Sequence, residues 1–271
     1  LINRPDLRIH RKILIIDRSI AYVGSLNLAD PVFFNLNKKV GRWVDAMSRL
    51  TGPVVESLIT VFLTDWSVET ASDYGENEKL TRPTGFPPGK ARIQCLASGP
   101  AVNASSIEQL IVSAVYLARE EIVMTTPYFI PSEALQYALT SAARRGIRVT
   151  LIVPLRMDSR LAQYAGRAFM TELLEAGVHI RLYRGGMLHT KSITIDGRVS
   201  FFGSLNLDTR SFRINFEITL LIYDSDFTEK LLALQESYKA GSSRLTLDKE
   251  RRKTTWNRTK EDIARLLSPL L

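Results

Sequence analysis

A histidine, a lysine, an aspartate, a glycine, a serine and an asparagine recur in this chain at one fixed spacing. The phrase is His10-x-Lys12-x₄-Asp17-x₆-Gly24-Ser25-x-Asn27, and again His189-x-Lys191-x₄-Asp196-x₆-Gly203-Ser204-x-Asn206. Over 10–28 and 189–207, nine of nineteen aligned positions are identical, too many for chance. An imidazole beside an ammonium suits phosphate chemistry. One imidazole can attack phosphorus while a second protonates the leaving alcohol and later deprotonates the incoming one. Two lysines would supply the charge stabilisation that a metal otherwise provides. His10, Lys12, Asp17, His189, Lys191 and Asp196 are therefore the candidate catalytic residues. Ser25, Asn27, Ser204 and Asn206 are candidate phosphate donors, with a glycine beside each serine to let backbone N–H groups approach an anion.

A nucleophilic histidine needs a carboxylate on its other nitrogen to fix the tautomer. Glu217 lies 28 residues past His189, and Asp45 takes the corresponding place after His10 if seven residues are inserted after Asn27. Spacing therefore predicts Glu217 as the partner of His189 and Asp45 as the partner of His10.

These groups need rigid support. Alternation over Leu188 to Ile195 predicts one strand with His189 and Lys191 on one face, about 7 Å apart. The pair Asp196-Gly197 marks the hairpin turn that follows. Further strands are expected over Ala91 to Ala97, Glu121 to Thr126, Ile147 to Val153, Val178 to Tyr183 and Asn215 to Tyr223. Helices are expected over Ser105 to Arg119, from a Ser132 cap to Arg145, and from Asp158 or Ser159 to about Gly177. The first copy repeats the strand-turn-strand over Arg11 to Ile16 and Ile20 to Val23, followed by a strand over Arg42 to Arg49 and a helix over Pro53 to Trp66. Alternating strands and helices signal a mixed sheet covered by helices.

A repeat period this long is not a solenoid. It points to two pseudo-symmetric lobes facing each other across a rough two-fold axis, sharing one site. Residues 72–90, with three Pro and three Gly, read as a linker between a first lobe over 1–71 and a second over 91–271. Upstream of the second copy lie roughly ninety residues for which the first copy has no room, and no Met opens the chain. A fragment whose first lobe lacks most of its front half is expected.

The net charge of +8 favours an anionic partner, whether nucleic acid, an acidic membrane surface or a phosphorylated substrate. One cysteine, Cys95, excludes an internal disulfide, and three histidines show no metal-ligand cluster, so chemistry without metal or cofactor is expected. Cys95 reads as a small buried hydrophobe and His179 as a surface or packing residue. No apolar stretch approaches the about 20 residues that span a bilayer. The C-terminal run from Arg251 through Trp256, Arg258 and Lys260 to Leu266, Leu267 and Leu270 has helical spacing and a basic lead-in. It suits either an anionic membrane surface or its own lobe.

The paired motif resembles that of the phospholipase D superfamily, and the whole chain resembles the bacterial cardiolipin synthases within it. The segments Thr126-Pro-Tyr-Phe-Ile-Pro131, Gly186-Met-Leu-His-Thr-Lys-Ser192 and Leu207-Asp-Thr-Arg-Ser-Phe-Arg-Ile-Asn-Phe-Glu217 carry the narrower resemblance. It implies a two-lobed α/β fold and transfer of a phosphatidyl group from one phosphatidylglycerol to another through a phosphohistidine, releasing glycerol. It also implies a place at the bacterial inner membrane, anchored by N-terminal segments that this chain does not contain. Rival functions are a phospholipase D or phosphatidylserine synthase, a metal-independent nuclease and a non-enzymatic lipid-binding module. Against the nuclease, no interleaving of aromatic and basic residues of the kind that stacks bases is present.

Overall fold

The computed structural model describes residues 8–29, 40–70, 89–100 and 105–266. The expected linker, but for Gly89 and Lys90, lies outside these residues, as do Leu267 and Leu270. In the first lobe, β1 (Ile13–Ile16) and β2 (Ile20–Gly24) form an antiparallel hairpin. They are followed by β3 (Trp43–Val44), β4 (Met47–Thr51) and α1 (Val54–Thr70). The strand expected over 42–49 breaks at Asp45 and Ala46, because the chain changes partners there. β3 pairs with the second lobe, whereas β4 pairs with β2.

The second lobe opens with β5 (Arg92–Ser98), α2 (Ser106–Leu117), β6 (Glu121–Thr125), β7 (Phe129–Ile130), α3 (Glu133–Arg144), β8 (Arg148–Pro154), α4 (Arg160–Glu175) and β9 (His179–Tyr183). It continues through β10 (Met187–Leu188), β11 (Ser192–Ile195), β12 (Val199–Gly203), β13 (Leu207–Asp208), α5 (Thr209–Arg213) and β14 (Glu217–Tyr223). α6 (Ser225–Ala240), β15 (Ser242–Arg244), α7 (Leu247–Arg251) and α8 (Thr255–Leu266) complete it. Eight strands form one mixed sheet in the order β15-β9-β8-β6-β11-β12-β14-β5, with β6, β8 and β9 parallel. Ser132 and Ser159 cap α3 and α4 through Leu135 N and Ala162 N, as their positions predict. Gly146 and Gly177, at φ of 88° and 99°, close the same helices.

Strands β6 and β8 are apolar nearly throughout because both faces of the sheet are covered. On one face α2, α3 and α4 pack Ile111, Leu135 and Phe169 against Ile122, Met124 and Leu151. On the other, α6 and the first lobe do the covering, with Ala21, Val23, Leu50 and Leu58 packed on Phe202, Ile218 and Leu220. Phe201 faces the first of these cores and Phe202 the second, the alternation of a strand buried on both sides. The lobes therefore share a core, which fixes the two motif copies relative to each other. α8 packs on α4, burying Ala264 and placing Lys260 over Tyr164 and Arg265 over Phe169, so the C-terminal run docks on its own lobe. Trp256, Ile263 and Leu266 remain exposed.

Candidate active site

Each histidine follows a short extended stretch that runs parallel to the approach to a carboxylate in the opposite lobe. Ile9 bridges Phe216, and the His10 N–H donates to the Phe216 carbonyl at 2.9 Å. In the same way β10 pairs with β3, and the His189 N–H donates to the Val44 carbonyl at 2.9 Å. The residues that follow Phe216 and Val44 are Glu217 and Asp45. The pairing is therefore crossed: His10 Nδ1 donates to Glu217 Oε1 and Oε2 at 2.8 and 2.9 Å, and His189 Nδ1 donates to Asp45 Oδ1 at 2.6 Å. The same-lobe partners expected from spacing are overturned, since the parallel contact across the lobe boundary decides which carboxylate each imidazole meets. With each Nδ1–H held by a carboxylate, Nε2 of each ring is left for chemistry, offering a lone pair when the ring is neutral and a proton when it is charged.

The residue between histidine and lysine secures the crossing. Arg11 Nε donates to the Glu217 carbonyl at 3.0 Å and Arg11 Nη2 to the Ser98 carbonyl at 3.1 Å, while Nη1 pairs with Asp65. Its counterpart Thr190 donates to the Val44 carbonyl at 3.2 Å. The strand expected over 188–195 is interrupted across 189–191, where the N–H groups of His189 and Thr190 bond the other lobe instead of their own sheet.

The serines and glycines of the motif do something other than hold phosphate. Ser25 Oγ donates to Asp45 Oδ1 at 2.6 Å, and Ser204 Oγ donates to Glu217 Oε2 at 2.5 Å. Their backbone N–H groups are spent on the carbonyls of Ala46 and Ile218. A Cβ on Gly24 would lie 2.2 Å from the Ala46 carbonyl oxygen, and one on Gly203 would lie 2.1 Å from that of Ile218. Glycine is required because the neighbouring strand passes where a side chain would be, and that close pass brings each serine to its carboxylate. The expected anion-binding wall is thus corrected to a carboxylate-positioning device.

The lysines do converge on the site. Lys12 Nζ donates to the His10 carbonyl and Lys191 Nζ to the His189 carbonyl, both at 2.6 Å, which leaves donors on each ammonium for an anion. Burial brings Lys12 down to about 8, and burial together with Lys12 pushes Lys191 well below the ordinary lysine value. Burial also lowers both imidazoles. Lys12 and Lys191 each push both rings the same way, against the pull of Glu217 on His10 and of Asp45 on His189. Each ammonium thus acts on both imidazoles, which the crossed hydrogen bonds to Glu217 and Asp45 hold at the junction of the lobes. Burial acts to raise the Asp45 carboxyl, but His189, Ser25 and Lys191 outweigh it and hold Asp45 below its usual range.

Two positions that sequence reasoning missed set the histidines apart. Trp43, two residues before Asp45, stacks on His189 with ring centres 4.5 Å apart, whereas Asn215, two before Glu217, donates to Glu217 Oε1 at 3.1 Å. The signal available was their equal offset from the two carboxylates. The His10 side chain is 25% exposed and that of His189 5%. Beside His10 opens a largely apolar cavity of about 390 Å³, lined by Lys12, Leu14, Leu26, Asn27 and Met47.

The motif aspartates stand outside this constellation. Asp17 sits in the β1–β2 turn at φ 49° and Asp196 in the β11–β12 turn at φ 53°, at the far ends of their strands. Asp196 accepts from the N–H groups of Arg119, Glu120 and Glu121, so it anchors a hairpin. Asn206 is buried against Asp208, a fully buried carboxyl that burial pushes up to about 6 and that also influences Lys191. His179 is exposed on β9, and Cys95 packs half-buried against the core shared by the lobes.

Residues 111–238 match the protein family described as "Cardiolipin synthase, PLD-like domain". Cardiolipin synthase A of Yersinia pseudotuberculosis is 43% identical over 281 residues, covering 100% of this chain and 56% of the relative. The chain thus spans about half the length of the curated relatives it matches. Among solved structures, phosphatidylserine synthase of Haemophilus influenzae aligns over 99% of this chain and 72% of its own at a TM-score of 0.73 and 17% identity. The phospholipase D family member Nuc of Salmonella typhimurium aligns over 58% of this chain and 99% of its own at a TM-score of 0.50 and 21% identity. The likeness in sequence to cardiolipin synthase A thus runs the length of this chain, residues 111–238 carry the match to the cardiolipin synthase, PLD-like domain, and the likeness in fold to phosphatidylserine synthase covers nearly all of it.

Proposed function

We propose that this chain carries the two-histidine site of a cardiolipin synthase, which transfers the phosphatidyl group of one phosphatidylglycerol to the glycerol hydroxyl of another. The observation that carries the chemistry is the pair of imidazoles, each anchored through Nδ1 to a carboxylate of the opposite lobe with a lysine alongside. His10, the more accessible ring, attacks phosphorus through its neutral Nε2 as the glyceryl oxygen departs with the Nε2 proton of His189, which enters this step as an imidazolium held by Asp45 beside the anionic phosphodiester. His189, now neutral, takes the proton of the incoming hydroxyl as the new P–O bond forms and the P–N bond breaks. Lys12 and Lys191 stabilise the charge on the non-bridging oxygens. One phosphodiester replaces another, so no nucleotide is consumed.

The choice of acceptor rests on the 43% identity to cardiolipin synthase A across the whole chain. We assign residues 1–71 to the first lobe, 72–90 to a linker and 91–271 to the second. We place the full-length protein at the bacterial inner membrane, held there by segments N-terminal to this chain. Among the described residues no helix is long and apolar enough to cross a membrane. The test is to feed labelled phosphatidylglycerol to the full-length protein. Cardiolipin and free glycerol in equal amounts are expected. Phosphatidic acid as the only lipid product would make the protein a phospholipase, and no product would leave a binding module.

A further inference from the structure

The carboxyl ends of the parallel strands β8 and β9 lie on the same edge of the large sheet as the catalytic phrase. β11 opens at Ser192 opposite Thr125, Thr125 pairs with Ile152, and Ile152 with Arg181, so Leu155, Arg156 and Arg184 emerge at the level of His189 and Lys191. In open α/β sheets the crevice outside the carboxyl ends of the strands is where ligands bind. A cleft of about 400 Å³ lies there, lined by Gly41, Arg156, Tyr183, Arg184, Gly185 and Gly186, with no acidic side chain among its lining residues.

The cleft is built by the same crossing that builds the active site. Gly41 and Gly186 stand at the entries of β3 and β10, and a Cβ on Gly186 would lie 2.3 Å from the Arg42 carbonyl oxygen. Their close approach makes a backbone floor. Above it Arg156 and Arg184 are exposed, and among the described residues neither guanidinium has an ion-pair partner. Two guanidinium groups lining one cleft, with no ion-pair partner and no carboxylate beside them among the described residues, match a phosphate, which arginine binds through its planar fork. Gly186 precedes His189 by three residues, about 10 Å of extended chain. An arginine side chain and a three-carbon glycerol bridge can cover that span together.

We propose that Arg156 and Arg184 form a second phosphate site, which holds the phosphodiester of the acceptor lipid while its terminal hydroxyl reaches the phosphohistidine. This rests on the transferase reading above and deepens it. Holding the acceptor's phosphate orients its hydroxyl oxygen toward phosphorus. Attack forms the new P–O bond, breaks P–N and passes the hydroxyl proton to the second imidazole. An acceptor without a phosphate gains nothing from the cleft.

The test compares acceptors in the full-length enzyme, wild type against the R156Q/R184Q pair. The acceptors are phosphatidylglycerol, water-soluble glycerol phosphate, and glycerol and ethanol as neutral alcohols. Wild type should use glycerol phosphate at a lower KM than glycerol. The double variant should lose that preference and form cardiolipin at least tenfold more slowly, with transfer to ethanol unchanged. Arg→Lys at both positions should recover part of the loss through retained charge. Equal loss with all acceptors would show that the arginines serve the fold or the donor lipid, and no loss with phosphate-bearing acceptors would remove the site; either result overturns the proposal. A wild type that prefers glycerol phosphate to glycerol yet makes no cardiolipin would sink the cardiolipin synthase reading while supporting the second site.

Discussion

The hairpins β1–β2 and β11–β12 carry the same phrase in two surroundings. β11 is buried along its whole length, with β12 on one side and β6 on the other. β1 has β2 on one side and no strand on the other among the described residues, and its Leu14 and Ile16 are 46% and 41% exposed. Asp196 ties its turn to three backbone N–H groups at the start of β6, and Asp17 in the matching turn makes no such contact among the described residues. Yet each histidine meets a carboxylate, each lysine bonds its own histidine carbonyl, and each serine donates to the carboxylate one residue before the carbonyl that its glycine abuts. The chemistry is held identically at one end of both hairpins, and the support differs at the other. What the motif conserves between its two copies is therefore a junction with the opposite lobe.

The sharpest way to break that comparison is to remove one imidazole at a time in the full-length protein. H10A and H189A should each lower turnover by about 10⁴-fold or more, since each loses a covalent or proton-transfer step and no packing of similar size. Far-ultraviolet dichroism and the melting transition should stay close to wild type. A variant retaining near-normal turnover would end the shared-site mechanism. The crossing itself is tested by carboxylate variants. E217Q should cost about 10²-fold alone and little more when added to H10A, while D45N should behave in that way only with H189A, because members of one unit are strongly non-additive. Same-lobe coupling, His10 with Asp45, would contradict the geometry.

Much of this was legible in the sequence because duplication marks the residues that matter. The histidines, lysines, glycines and serines announced themselves by equal spacing, and helix caps such as Ser132 were readable because a cap is local chemistry. The crossed carboxylates were not readable, since spacing measures distance along the chain and the pairing is made across a lobe boundary. The alternating apolar pattern of 42–49 likewise reads as one strand, although the chain changes sheets between Val44 and Met47. The glycines illustrate a subtler limit. Their need for missing side chains was evident, but whether an anion or a neighbouring carbonyl fills the space depends on the strand beside them.

A smaller effect separates charge from fold. Lys12, brought by burial to about 8, is an ammonium below pH 7 and loses its proton as pH rises through 8 to 9. Turnover should therefore fall on that alkaline limb, while the lowered His10 imidazole keeps the neutral form that attacks phosphorus to below pH 6.5. Stability runs the other way. Between about 8 and the ordinary lysine value of 10.5 the unfolded chain holds more protons than the folded one, so this lysine's contribution to stability rises with pH. K12R keeps its charge and should carry the alkaline limb upward with a moderate loss of rate. An alkaline limb unmoved by K12R would assign it to another group.

The smallest effect tests the unequal ends of the hairpins. Asparagine tolerates the positive φ at both turns, so Asp→Asn isolates the carboxylate from backbone strain. At Asp196 it removes a charged acceptor from three N–H groups that hold the turn to β6, and the hydrogen bonds already draw that carboxyl below its usual range against the opposing effect of burial. A loss of about 1 kcal/mol is expected, read as a lower urea midpoint at an unchanged slope. At Asp17 the same change should fall within about 0.5 kcal/mol of wild type. Both variants should keep most of their turnover, because neither carboxylate reaches the imidazoles. If D196N instead lost activity at undiminished stability, the aspartates would return to the catalytic set. If D17N destabilised as much as D196N, then Asp17 would have to be tied by contacts equivalent to those of Asp196, and the difference between the hairpins would not extend to their turns.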